Sequence, residues 1–118
     1  MNTFGMVING QIVESDRTFD VINPATETVV AACSDCSSEQ LEEAVRAAHQ
    51  AFGDWQNNQV KRKKALIGCA RAVKAQIRDL AELLTLEQGK PLRNALHEVS
   101  GIVHWFQQAA GMKVPVDV

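Results

Sequence analysis

The stretch Glu87-Gln88-Gly89-Lys90-Pro91-Leu92 decides how the second half of the chain is built. Apolar residues recur at helical spacing on both sides of it. Leu66, Ala70, Val73, Ile77, Leu80 and Leu84 come before it, and Leu92, Leu96, Val99, Val103 and Phe106 come after. Gly89 falls where the first pattern ends, and glycine enters the left-handed conformation of a helix C′ position with no Cβ penalty. Pro91 falls where the next pattern opens, and its fixed φ and missing N–H suit a first helical turn. Two helices joined by a tight turn are predicted, the last one starting at Pro91. Gly111 is expected to stop it, with Val114-Pro115 leaving in extended form. Asp79 followed three residues later by Glu82 is a capping signal, so a break is expected near Arg78-Asp79.

Toward the N-terminus the period changes. Ser37 and Gln40 have capping-box spacing, and behind them Leu41, Ala44, Val45, Ala48, Phe52 and Trp55 recur at helical intervals. Gly53 is expected to end this helix, and Glu42 with Arg46 is a candidate i,i+4 pair on its outer face. Further back, Phe4, Met6 and Ile8 alternate with other residues, and Asn9-Gly10 turns the chain into Gln11-Ile12-Val13. An Asn-Gly pair between apolar runs is the strongest short hairpin signal. Thr18 to Ile22 and Thr28 to Ala32 flank Asn23-Pro24-Ala25-Thr26, where Pro24 removes a ladder donor and disfavours helix at Asn23. The predicted fold class is α+β, with two N-terminal β-hairpins over 1–33 followed by three or four amphipathic helices over 37–111.

Composition sets the outer limits. The chain has 118 residues, enough for one domain, with 46% hydrophobic and 22% charged content as in ordinary globular proteins. A net charge of −2 gives no global field that would recruit nucleic acid or an anionic membrane. No apolar run is long enough to span a bilayer, and the N-terminus lacks a basic-then-apolar signal pattern. Three cysteines, an odd number, do not make a disulfide framework, and a reducing cytoplasm is the expected location.

Taken in order, these segments resemble the N-terminal part of the NAD(P)-dependent aldehyde dehydrogenases. The likeness rests on Ile8-Asn9-Gly10, on Asn23-Pro24-Ala25-Thr26, on Ala44 through Ala48 with Ala51-Phe52 and Trp55, and on Glu87 through Pro91. Glu98-Val99 and Ala110-Gly111 continue it. The family typically carries an "ING" hairpin, an "NPAT" turn, an "A-x-x-A-F-x-x-W" helix and an "E-x-GKP" junction. The resemblance runs from about Val7 to Gly111. It implies that residues 1–118 form the outer hairpins and helices of an α/β Rossmann-like cofactor-binding domain. The parent reaction would be oxidation of an aldehyde to a carboxylic acid with NAD or NADP, by a homo-oligomer. In the family a cysteine attacks the aldehyde carbonyl. A backbone amide and an asparagine side chain stabilise the oxyanion, hydride passes to the nicotinamide, and a glutamate activates the hydrolytic water.

None of that catalytic set is carried over onto this chain. Ala25 follows Asn23-Pro24 where the family's catalytic asparagine motif has an aromatic. Glu87-Gln88-Gly89-Lys90 matches the structural junction and not the glutamate motif. No "G-x-T-x-x-G" cofactor turn occurs, and Cys33, Cys36 and Cys69 match no nucleophile motif. Cys33-Ser34-Asp35-Cys36 has the spacing of a redox pair or half a zinc site, but no second ligand pair accompanies it. The plain reading, two small residues at a strand-to-helix turn, is favoured. Lys61-Arg62-Lys63-Lys64 reads as a solvated first helical turn, without the aromatic platform a nucleic acid would need. His49, His97 and His104 are scattered over two helices and read as surface or packing residues. Lys90 lacks a glycine-rich loop and is expected to neutralise carbonyls at a helix C-terminus.

The chain is therefore expected to be a scaffold with no catalytic, cofactor or metal residues of its own. The competing classes are a helical interaction module and a thiol redox or metal protein resting on Cys33 and Cys36. Aldehyde preference and the NAD-versus-NADP choice depend on residues not among these. Its three apolar stripes exceed what two short hairpins cover, so self-association is expected. In a calorimetric titration the isolated chain should show no saturable micromolar binding of NAD or NADP. A saturable isotherm in that range would overturn the scaffold reading.

Overall fold

A computed structural model describes residues 2–113 of the chain. The elements run β1 (Asn2–Phe4), β2 (Met6–Ile8), β3 (Gln11–Val13), β4 (Thr18–Ile22), β5 (Val29–Ser34), α1 (Ser38–Gln56), α2 (Gln59–Ala75), α3 (Ile77–Gln88) and α4 (Leu92–Gly111). They group into two compact units. Among the described residues, one comprises 2–56 with 86–89, the other 57–85 with 90–113. The expected extended exit at Val114-Pro115 lies outside the described residues.

In the first unit the Asn-Gly signal holds. Asn9 and Gly10 have φ of 50° and 75°, the two positive values a type I′ turn requires, and β2 pairs antiparallel with β3, Ile8 opposite Gln11. The second hairpin pairs β4 with β5, Phe19 opposite Cys33 and Asp20 opposite Ala32, with a register shift between Val21 and Ile22. Its turn is closed by Asn23, whose side-chain oxygen accepts from the Ala25 amide at 2.9 Å and whose carbonyl accepts from Glu27 N at 2.8 Å. The alternating run Phe4, Met6, Ile8 is not one strand. It breaks at Gly5, and β1 instead joins β5 in parallel, giving a three-stranded sheet of order β1-β5-β4. A methyl group on Gly5 would lie 2.8 Å from Ile12 Cγ2 and 3.0 Å from the Val13 carbonyl oxygen, so only glycine lets the chain pass there. The central strand β5 buries Ala31, Ala32 and Ser34.

Helix α1 opens on the expected capping box: Ser37 Oγ accepts from Gln40 N at 3.2 Å, and Gln40 Oε1 accepts from Ser37 N at 3.0 Å. It does not stop at Gly53. A glycine in helical φ only weakens a helix, and α1 continues to Gln56. Ala44, Ala47, Ala48 and Ala51 line a shallow hollow with the Val7–Gly10 hairpin, yet α1 buries no residue. The expected Glu42–Arg46 pair is not formed. Arg78 and Glu82 on α3 make an i,i+4 pair instead, at 2.8 Å.

In the second unit α2 is capped by Asn58, whose side chain accepts from Lys61 N at 2.9 Å. The break between α2 and α3 falls at Gln76, not at Arg78-Asp79. Asp79 lies inside the first turn of α3, where a carboxylate favours the positive end of the helix dipole, so its signal marked the turn rather than the cap. The core is built from Ala81, Ala95 and Val99, with Val73, Ile77, Leu80, Leu84, Leu92 and Leu96 packed around them. The apolar positions predicted for α2 through α4 thus face inward. Pro91 is the cap residue of α4, one position earlier than its first helical residue.

Glycine substitutions separate these roles. Gly5→Ala should destabilise by about 1–3 kcal/mol through overpacking. Gly89→Ala should cost a similar amount, because φ there is +68° and a Cβ would meet Pro24 Cγ at 3.0 Å. Gly68→Ala, in mid-helix with nothing within 4 Å, should stabilise by about 0.5–1 kcal/mol. Urea unfolding midpoints check the three signs.

Candidate functional site

The junction that opens α4 gathers five polar side chains. Its geometry follows from three consecutive backbone choices. Gly89 turns out of α3 with φ +68°, and Pro91 sits at φ −55° and ψ 135°. The Pro91 carbonyl then accepts from Asn94 N at 2.8 Å and Ala95 N at 3.1 Å, starting the helix. Helical spacing places Arg93, Asn94, His97 and Glu98 along one flank, and with Lys90 they line an open groove of about 740 Å³. Lys90 forms an ion pair with Glu98. The expectation that Lys90 would serve the carbonyls of the preceding helix is thus corrected. Two turns of α4 bring a carboxylate within its reach, and a charge-assisted bond to that carboxylate replaces the weaker carbonyl contact. The pair ties the turn to the helix it starts, and half-exposed Glu98 keeps its contribution within about 1 kcal/mol.

The other singled-out residues are dispersed. Cys33 is half-buried on β5, while Cys36 and Cys69 are exposed; all three are free thiols. Cys36 donates weakly to the Ser37 carbonyl at 3.4 Å. His49 lies exposed on α1, His97 in the α4 groove, and His104 edge-on to Trp105 with ring centres 6.3 Å apart. Among the described residues no three His, Cys, Asp or Glu side chains cluster closely enough to hold a metal ion. At the α1 N-terminus, the backbone amide of Glu39 and the Ser37 hydroxyl hold the Glu39 carboxyl below the usual carboxylate range, against a small opposing desolvation.

The β5-to-α1 connection is a strand-to-helix turn, and the Ser37–Gln40 capping box occupies the helix N-terminus. Two features were not read from the sequence. The Asn58 cap was signalled by an asparagine three residues before Lys61. The Lys90–Glu98 pair was signalled by opposite charges eight residues apart across a turn.

The family model for the aldehyde dehydrogenase family matches residues 12–116. A probable aldehyde dehydrogenase from Pseudomonas sp is 36% identical over 115 residues, covering 97% of this chain and 24% of that protein. Malonate-semialdehyde dehydrogenase from Bacillus velezensis is 39% identical over 107 residues, covering 88% and 22%. The solved NAD-dependent aldehyde dehydrogenase from Sinorhizobium meliloti superposes with a TM-score of 0.87 at 28% identity, covering 93% of this chain and 23% of that one. The chain therefore spans about a quarter of the length of these relatives. Among the described residues no helix is long and apolar enough to cross a membrane.

Thiol labelling under native conditions should find Cys36 and Cys69 reacting fast and Cys33 slowly, with all three reacting at one rate after unfolding. A single fast thiol in the folded chain would contradict the placement of Cys36 and Cys69.

Proposed function

The chain belongs to the aldehyde dehydrogenase family, and we propose on that premise that it is the N-terminal scaffold of an NAD(P)-dependent enzyme that oxidises an aldehyde to a carboxylic acid. The observation that carries this reading is the match over residues 12–116 combined with coverage of only about a quarter of the relatives. Residues 1–118 correspond in this reading to the outer part of the cofactor-binding domain. Their work is architectural. The Asn9-Gly10 hairpin, the Asn23 turn and the Gly89-Pro91 junction shape a rigid support, and the core of α2, α3 and α4 stiffens it.

The nicotinamide cofactor supplies hydride acceptance in such an enzyme, and it is held by segments other than those described. In this reading the nucleophilic cysteine and the water-activating glutamate likewise belong to other segments, since Cys33, Cys36, Cys69 and Glu87 match neither motif. The parent enzyme is read as a cytoplasmic homo-oligomer.

A chimera tests the reading. Residues 12–113 replace the corresponding quarter of the Sinorhizobium meliloti enzyme, and reduction of NAD is followed with a panel of aldehydes. Aldehyde-dependent NADH formation within about tenfold of the parent is expected. A chimera that folds cooperatively, binds NAD and oxidises no aldehyde accepted by the parent would overturn the proposal.

A further inference from the structure

The tip of the β2–β3 hairpin sets an asparagine carboxamide beside an unhindered backbone nitrogen. An asparagine side chain is open to attack by the backbone nitrogen of the residue that follows it, and a side chain on that residue hinders the approach. Glycine offers no such hindrance. The chain has six asparagines, and only Asn9 is followed by glycine.

The folded structure separates the six further. Pro24 follows Asn23 and has no N–H to give up. The Asn23 side chain also accepts from Ala25 N at 2.9 Å. Asn94 sits in α4, where the Ala95 amide donates to the Pro91 carbonyl at 3.1 Å. Asn58 caps α2, its side chain accepting from Lys61 N at 2.9 Å. Asn57 precedes Asn58 and Asn2 precedes β-branched Thr3, so in both cases the attacking nitrogen is crowded by a side chain. Asn9 has none of these restraints. It and Gly10 are both exposed, and no atom lies within 4 Å of where a Cβ on Gly10 would stand. Across a two-residue loop only Ile8 and Gln11 exchange ladder bonds, so the Gly10 N–H is left outside the ladder. The Asn9 carboxamide makes no hydrogen bond among the described residues.

We propose that Asn9 is a site of spontaneous covalent modification, and that one of its two products releases the β2–β3 hairpin from its register. The Gly10 nitrogen loses its proton to solvent base and bonds to Asn9 Cγ. The Cγ–Nδ2 bond breaks, and the side-chain nitrogen leaves as ammonia. Ring closure needs the Asn9 ψ to swing away from its turn value, and the open space around Gly10 leaves that swing free. Water then opens the five-membered imide. Attack at Cγ gives aspartate with the ordinary backbone. Attack at the main-chain carbonyl gives isoaspartate, whose main chain runs through the former side chain and is one methylene longer.

The hairpin tolerates these products differently. Aspartate, like asparagine, adopts a φ near 50° and keeps the type I′ loop. A two-residue loop has no slack to absorb an extra methylene without shifting Ile8 against Gln11. Strands β2 and β3 have three residues each, and so short a hairpin is marginal alone. Ile8, only 5% exposed, is uncovered when the pairing slips, together with Ala44, Ala47, Ala48 and Ala51 across the hollow. The turn that fixes this hairpin thus also limits its lifetime.

Incubating the full chain at mildly alkaline pH and mapping its peptides by mass spectrometry tests the site. Conversion of Asn9 about tenfold or more faster than any other asparagine is expected, with one ammonia released per converted chain. The Asn9→Gln variant should release none from this tip on the same timescale, since a six-membered ring closes far more slowly. The isoaspartyl chain, separated by chromatography, should lose hydrogen-exchange protection about tenfold at Met6–Ile8 and Gln11–Val13, while the Asn9→Asp variant keeps it. Asn9 left intact while a free peptide of residues 7–11 converts, or conversion spread evenly over the six asparagines, would overturn the site. An isoaspartyl chain as protected as the Asn9→Asp variant would overturn the release of the hairpin. The wild-type peptide map decides the site even if a variant fails to fold.

Discussion

The conformation of Gly89 is the constraint on which the helical half depends. With φ at +68°, the backbone leaves α3 in a region that costs any residue with a Cβ about 1–2 kcal/mol. The Pro24 ring closes the space above it, at 3.0 Å from where a Cβ would stand. Two turns more than sixty residues apart in sequence therefore meet at a point that admits only hydrogen. Downstream, the same junction presets Pro91 and lets Lys90 reach Glu98. The residues that make the chain recognisable along its sequence are in this instance also in contact.

The helical core is made of small pieces. Ala81 and Ala95 are fully buried, but no large side chain is. Alanine at a crossing lets two helices approach closely, and the leucines and valines around it are left half-covered. Each half-buried residue contributes only part of the roughly 1.5–3 kcal/mol that full burial gives. Helix α1 takes this further, with an apolar stripe at helical spacing and no buried residue. A helix of that kind gets most of its stability from whatever covers the stripe.

Legibility followed the locality of the signal. The Asn9-Gly10 turn, the Ser37–Gln40 box and the inward stripe of α4 each depend on residues within a few positions of one another, and each formed as read. Gly5 was missed because its necessity comes from Ile12 and Val13 across a strand pair. The same holds for β1, whose partner β5 lies nearly thirty residues away. Gly53 and Asp79 misled for a different reason. Each residue type suits more than one place near a helix end, and composition alone does not say which. The α4 flank shows the same limit. Lys90 was noticed, but its partner was set by the turn geometry.

The parallel pairing of β1 has a kinetic meaning. Asn2, Thr3 and Phe4 sit opposite Ala31, Ala32 and Cys33, whereas each hairpin closes over a short span. Loop-closure entropy favours the short spans first. The β4–β5 hairpin must exist before β1 has an edge to join. During synthesis Asn2–Phe4 would then emerge well before their partner strand and wait until Cys33 has emerged and its hairpin has formed.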